Sequence, residues 1–458
     1  MTRVAVVGGG ITGLAAAVRV LGHGATVELF EAGDRLGGTI HTIRRDGFVI
    51  ETGPDSFITD KPWALALCER VGLSDDLVPT RETDRRTYVA RGDRLHPLPD
   101  GFLLLAPTSL GPLLRSPLFS PAGKLRMTLD LVLPRRRGGG DESLAAFVRR
   151  RLGREALERV ADPLASGIYT GDPEQLSLAA TMPRFAEMEA RDRSLIVALR
   201  RRAGEAKGVA GARYGLFVSH RDGMGALVDA LGARIPERAI HLATAVGGLE
   251  RTSTGWRLRT GDSSTTVDAV VLACPAPVAA RLVRPLDETL ASGLESISHA
   301  SSAIVTVGIR TDDVPRALPG FGFVVPAGDG RDILACTFSS RKWPGRAPAG
   351  HDLVRVFIGG VRRAELLEHD DGELVAIARR ELARFLGYRG EPLFVRVDRW
   401  MASMPQYTLG HEARVRGIED RLARLPRIAL AGNAYHGVGI PDCVRSAEAA
   451  ADTVVAGA

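Results

Sequence analysis

The chain opens on a short apolar run at residues 4–7 (VAVV), then three consecutive glycines, then a long apolar stretch at 11–21. A second run at 25–30 ends on Glu31. Strand, glycine turn, helix and strand are therefore predicted for the first thirty or so residues. Leu144, Phe147, Val148 and Leu152 stand at helical spacing behind an Asp/Ser start signal, and 185–207 continues helical. Both predict a helical segment inserted between other parts of the chain. Residues 240–274 break into strand-like pieces, HLATAVGGLER, GWRLRT and DAVVLACP. The last reads as a buried strand ended by Pro275 and returning to the N-terminal sheet. Short β runs at 303–309, 321–325, 333–338 and 353–358 predict a second sheet, and 363–386 is again helical. Near the C-terminus, 428–430 reads as a buried strand. A glycine-rich turn follows, then a helix with Pro441 as its first residue, where a missing N–H costs nothing. The chain shows no internal repeat.

Length and composition narrow the classes. At 458 residues, two or three domains are expected, and 45% apolar with 25% charged residues is ordinary for a soluble enzyme. The net charge of +6 comes almost entirely from arginine. It suits an anionic small molecule, an acidic membrane surface or nucleic acid, and charge alone does not choose. The basic run at 135–140 (RRRGGG) lacks interleaved aromatics, so a nucleic-acid partner is not expected. Cys68, Cys274, Cys336 and Cys443 lie far apart, which argues against a metal site or disulfide framework and fits a reducing cytoplasm. The first residues leave no room for a signal-type segment. The apolar region at 101–133 is broken by Pro107, Pro112, Pro117 and Pro121, so it predicts no spanning helix.

Gly8, Gly10 and Gly13 form G-x-G-x-x-G between the first strand and helix. Gly8 makes a tight turn, Gly10 admits a pyrophosphate to the backbone, and Gly13 lets helix and strand pack closely. The helix N-terminus offers free N–H groups to the phosphates. Glu31, closing the second strand, is placed to accept hydrogen bonds from a ribose diol and would repel a 2′-phosphate. Dinucleotide binding on a Rossmann-type unit follows, with NADP disfavoured. Arg35, Gly37 and Gly38 come directly after the acid and bring a second stretch of backbone against the same cofactor. At the other end, the glycines of AGNAYHGVGIPDC let the main chain lie flat against a large planar ligand. The helix after them favours negative charge at its N-terminus.

The Arg-x-Gly-Gly extension resembles that of the flavoprotein superfamily containing amine oxidases and porphyrinogen oxidases. GNAYHGVGIPDC, ETGPDSF and ADPLASGIYTGDPEQLSLAATMPRF resemble, essentially end to end, the protoporphyrinogen/coproporphyrinogen oxidase family in its soluble bacterial form. The resemblance implies an α/β (α+β), amine-oxidase-like fold: a Rossmann-type FAD-binding domain (1–90, 210–285 and 395–458), a helical, membrane-docking-like insertion (95–209) and a mixed-sheet substrate domain (286–394). It implies non-covalent FAD held by Gly8, Gly9, Gly10, Ile11, Thr12, Gly13, Glu31, Ala32, Arg35, Gly37, Gly38 and Thr39. Further contacts are implied for Gly53, Pro54, Asp55, Ser56, Val246, Trp400, Gly432, Asn433, Val438, Gly439 and Ile440. Lys61, Arg86 and Gly167 are the implied substrate-side residues, Lys61 meeting a propionate.

The implied reaction is oxidation of a porphyrinogen with O2 as acceptor, releasing H2O2. Flavin N5 is the hydride acceptor, and no catalytic side chain is assigned. His436 stands beside the flavin motif, but a histidine pointing to solvent serves equally well there. A basic chain without an anchor favours coproporphyrinogen III, with its four propionates; protoporphyrinogen IX is the alternative. The expected setting is the cytoplasm, with at most weak peripheral contact with the inner face of the membrane and hand-off of product to a chelatase of the haem pathway.

Overall fold

In the computed structural model, which describes all residues except 84, 104, 137, 206–216, 316–317 and 457–458, the first apolar run is the middle strand of a parallel sheet. The order across that five-stranded sheet is Ile240–His241, Thr26–Phe30, Arg3–Val7, Ala269–Leu272, Ile428–Leu430, with every pair parallel. A parallel strand is covered on both faces, which is why VAVV is apolar without alternation. Val4 and Val6 pack with the helices Ile11–Gly22 and Ile440–Ala456. Ala5 and Val7 face the opposite cluster, built on Trp256, Leu258 and the helix Ala276–Val283. DAVVLACP returns to this sheet as expected: Val4, Ala5, Val6 and Val7 register with Ala269, Val270, Val271 and Leu272.

The second sheet has seven strands, ordered Phe394–Pro405, His299–Arg310, His351–Gly359, Ala335–Phe338, Gly322–Val324, Thr87–Arg91, Arg94–Pro97. Its side chains alternate between two cores. Ala90, Phe323, Cys336 and Val356 pack toward the helix Asp371–Leu386, and Val89, Val324 and Ala335 toward the helical region. Asp371–Leu386 begins on a capping box of Asp370 and Glu373 and ends on Gly387 at φ 72°. Two pieces from the ranges expected for the dinucleotide unit pair with this sheet. Thr87–Arg91 pairs parallel with Gly322–Val324, and Phe394–Pro405 pairs antiparallel with His299–Arg310. The physical reason is that both present backbone donors and acceptors to a sheet whose core their apolar side chains extend.

The inserted helices are Leu110–Arg115, Pro121–Thr128, Leu144–Arg151, Asp162–Tyr169, Leu178–Thr181, Pro183–Asp192 and Leu195–Glu205, with shorter turns between. The Ser143 hydroxyl caps Leu144–Arg151 by accepting from the Ala146 N–H at 3.1 Å. The proline-broken stretch is fastened by a fully buried pair, Arg151 with Asp130, whose other carboxylate oxygen accepts from Ser194 Oγ at 2.6 Å. Of the basic run, Arg135 and Arg136 are exposed, and Arg137 lies outside the described residues, as do 206 and 207 of the expected helix. Among the described residues, no helix is long and apolar enough to cross a membrane.

Candidate functional site

Three glycine turns meet around the parallel sheet. Gly8 leaves the strand Arg3–Val7 at φ 110°, with the position of a Cβ only 2.6 Å from the Ala273 carbonyl oxygen. At Gly13 a Cβ would fall 1.7 Å from the Gly8 oxygen, so only glycine lets the helix sit down on the turn. Gly10 differs: nothing lies within 4 Å of where its Cβ would be. That open side faces no protein atom and suits a ligand's approach. Residues 37–38 run alongside, with Gly37 bridging Gly10 in parallel and the Gly37 N–H donating to the Gly9 oxygen at 2.8 Å. Arg35 locks this strip by donating to the carbonyls of Leu36 (3.1 Å) and Gly38 (2.8 Å).

The Glu31 carboxylate accepts from the N–H groups of Gly9 (2.6 Å) and Gly33 (2.7 Å), tying the second strand to the fingerprint turn. The Thr244 N–H donates to the Glu31 oxygen at 2.8 Å, which brings the 243–246 strip and Val246 to the same end. Ala32 and Thr39 are exposed beside them, whereas Ile11 and Thr12 are buried in the helix.

The second turn, 52–56, is pressed against the first. A Cβ at Gly53 would lie 2.0 Å from the Thr39 oxygen. Trp400 Nε1 donates to the Thr52 oxygen at 2.7 Å, so the indole is fixed against this turn from the seven-stranded sheet. Pro54 is exposed, Ser56 is half-buried, and the Asp55 carboxylate turns inward. Its carboxylate is held by Lys342 Nζ at 3.1 Å, Trp343 Nε1 at 3.1 Å and Ser56 Oγ at 2.7 Å, with Arg355 at 3.9 Å. Burial pushes the Asp55 carboxyl up. The Lys342 ammonium and Arg355 guanidinium outweigh it and hold the group well below the usual carboxylate range. Arg355 also donates to the Gly53 oxygen. Asp55 thus fastens the turn to the second sheet. Lys342, Trp343 and Arg355, which do this, carry no motif in the sequence.

The third turn follows Ile428–Leu430. Gly432, at φ 133°, also has open space where a Cβ would go, and its N–H donates to Ser446 Oγ at 3.1 Å. The Tyr407 hydroxyl serves two partners, donating to the Asn433 oxygen at 2.6 Å and accepting from the Gly437 N–H at 2.7 Å. Tyr407 stacks on His411 with centroids 3.9 Å apart, and His411 Nε2 meets the Tyr435 oxygen at 2.9 Å. Burial lowers the His411 ring to about 4. Val438 packs against the helical region's core, and Gly439 leads into Ile440, the first helical residue, one position before the expected start at Pro441. His436 is half-exposed and pairs with Glu419 at 2.6 Å, away from this buried network.

The substrate-side residues are placed differently. Lys61 Nζ lies 2.5 Å from Asp442 Oδ2, so the expected propionate partner already has a carboxylate within the protein. Arg86 is exposed, and its carbonyl accepts from the Phe321 N–H at 2.9 Å. Gly167 lies on the exposed side of Asp162–Tyr169, where a Cβ would stand 3.8 Å from Val324 Cγ1. Arg86 thus stands at the seven-stranded sheet, just before the strand Thr87–Arg91, where its backbone pairs with Phe321.

Gly10 and Gly432 thus leave two open backbone positions in turns that follow strands of one parallel sheet. Residues 11–455 match the model of the flavin containing amine oxidoreductase family. The chain belongs to that family. It is 34% identical to the coproporphyrinogen III oxidase of Bacillus subtilis, covering 98% of this chain and 96% of that one. It is 37% identical to the coproporphyrinogen III oxidase of Propionibacterium freudenreichii, covering 98% and 90%. A solved structure from Exiguobacterium sp. 255-15 superposes with a TM-score of 0.88 at 33% identity, covering 99% and 98%. The fold expected from the motifs is therefore the fold of this chain, and family membership makes it a flavin-dependent oxidoreductase.

Proposed function

We propose that this chain binds FAD non-covalently and oxidises coproporphyrinogen III to coproporphyrin III, with O2 as final acceptor and H2O2 as co-product. The observation that carries this reading is the end-to-end similarity to coproporphyrinogen III oxidases across both the glycine turns and the second sheet. Bound flavin supplies a two-electron acceptor. Gly8, Gly10 and Gly13 admit the pyrophosphate, Glu31 faces the ribose, and Val246 lies at the adenine end. Residues 52–56, Trp400 and 432–440 flank the ring. Aromatisation drives porphyrinogen oxidation, so these residues orient the reactants and exclude water. His436, paired outward with Glu419, is assigned no proton transfer.

Non-covalent attachment is supported at Cys443, the cysteine that follows the third turn in the sequence. Burial pushes its thiol up to about 11, which keeps it protonated and a poor nucleophile. Arg86 and Gly167 are assigned to the substrate side. The reading includes a cytoplasmic location, weak peripheral membrane contact and hand-off of product to a chelatase.

The test is direct. The protein purifies yellow, denaturation releases intact FAD, and addition of coproporphyrinogen III gives red porphyrin fluorescence with peroxide. Flavin that stays with the denatured chain contradicts non-covalent binding. Yellow protein without porphyrin formation contradicts the substrate.

A further inference from the structure

Lys61 and Asp442 lie 381 positions apart in the chain and meet at 2.5 Å. The Asp442 side chain is 7% exposed and that of Lys61 36%, so the carboxylate is buried and the ammonium covers it. Asp442 belongs to the first turn of Ile440–Ala456. Its carboxyl folds back beneath the loop at 437–439. A Cβ at Gly437, itself at φ 135°, would lie 2.3 Å from Asp442 Cγ, and one at Gly439 would lie 3.4 Å from Oδ2. The carboxylate therefore supports the strip of backbone that the proposed function sets against the flavin ring. The other nearby cation, Arg445, stands 3.9 Å from Asp442. It is engaged elsewhere, donating to the His436 oxygen at 2.9 Å and lying over Trp63 at 4.9 Å. Lys61 is thus the close countercharge.

An uncompensated carboxylate here would oppose any negative charge arriving at the same helix end, and an uncompensated ammonium would favour it. We propose that the Lys61–Asp442 pair sets the electrostatic potential along 437–440 and so tunes the reduction potential of the flavin held there. Lys61 is on this account a positioning residue acting through Asp442 rather than a ligand of a substrate carboxylate. The inference rests on the flavin reading of the third turn.

The two partners predict opposite signs, which a packing role does not. The measurement is the flavin midpoint potential of the purified holoenzyme, with sulfite affinity of the oxidised flavin as a second readout. Lys61→Met exposes the carboxylate, lowers the potential and weakens sulfite binding about fivefold or more, the scale of a modest site–site coupling. Asp442→Asn, nearly isosteric, raises the potential and tightens sulfite binding by a similar factor. The double variant returns close to wild type, and Lys61→Arg retains the wild-type value. Shifts of the same sign, or none, in the two single variants overturn the proposal. So does a Lys61→Met enzyme with unchanged potential and a raised KM for coproporphyrinogen III, which assigns Lys61 to the substrate. Colourless wild-type protein overturns the flavin reading itself and the tuning proposal with it.

Discussion

Gly10 and Gly13 stand three residues apart and need glycine for opposite reasons. A side chain at Gly13 collides with the Gly8 carbonyl, whereas one at Gly10 meets no protein atom. Gly10→Val is accordingly expected to fold, to purify without FAD and to melt with the Tm of FAD-stripped wild type. Gly13→Ala is expected to lose roughly 1–3 kcal/mol of stability through overpacking. The absorbance ratio of flavin to protein, measured beside thermal melts, separates the two. Full FAD occupancy in Gly10→Val would contradict the fingerprint assignment.

Residues buried among charges carry a pH signature. His411 is lowered to about 4 by burial, so between the ordinary histidine value near 6.5 and about 4 the unfolded chain binds the proton and the folded chain does not. Its contribution to stability is present above about pH 6.5 and is lost as pH falls through that window. Asp55, held low, contributes above its ordinary value near 4 and loses that contribution only at lower pH. Urea unfolding followed against pH should show a decline beginning near 6 that His411→Phe reduces, the remainder belonging to His41, His96, His220 and His299, which burial also lowers. Asp55→Asn should cost about 3–5 kcal/mol at neutral pH by leaving Lys342 and Arg355 uncompensated. The glycines and Glu31 were legible in the sequence because each meets a local demand of the turn. Lys342 and Arg355 were not, because their partners in the turn lie 287 and 302 positions away. No periodicity marks such a pairing.

Among the elements, runs of apolar residues announced both sheets, and an Asp/Ser start announced the inserted helices. The boundaries between units were less legible. Phe394–Pro405 is an edge strand of the seven-stranded sheet, yet midway along it Trp400 bonds to Thr52 of the second turn. A strand that belongs to one unit and serves another cannot be divided by motif proximity. Trp400→Phe keeps the ring and removes the bond to the Thr52 oxygen. It should cost about 1 kcal/mol of stability and weaken FAD retention, read by flavin release during dialysis. Unchanged retention would show that the indole does not brace this turn.

For the whole molecule, the basic surface and the helical region combine in one expectation. Leu125 is 66% exposed and Val132 is 68% exposed, close in sequence to Lys124 and the exposed Arg135 and Arg136. Scattered apolar side chains beside cations should give weak, salt-reversible binding to anionic vesicles. Co-sedimentation that persists in high salt would contradict this. The substrate assignment reaches furthest, because it requires the glycine turns, the second sheet and the surface charge to work as one enzyme. Its most direct test is kcat/KM for coproporphyrinogen III and protoporphyrinogen IX, measured on the same FAD-loaded preparation by porphyrin fluorescence. The account predicts the larger value for coproporphyrinogen III; a larger value for protoporphyrinogen IX would contradict it.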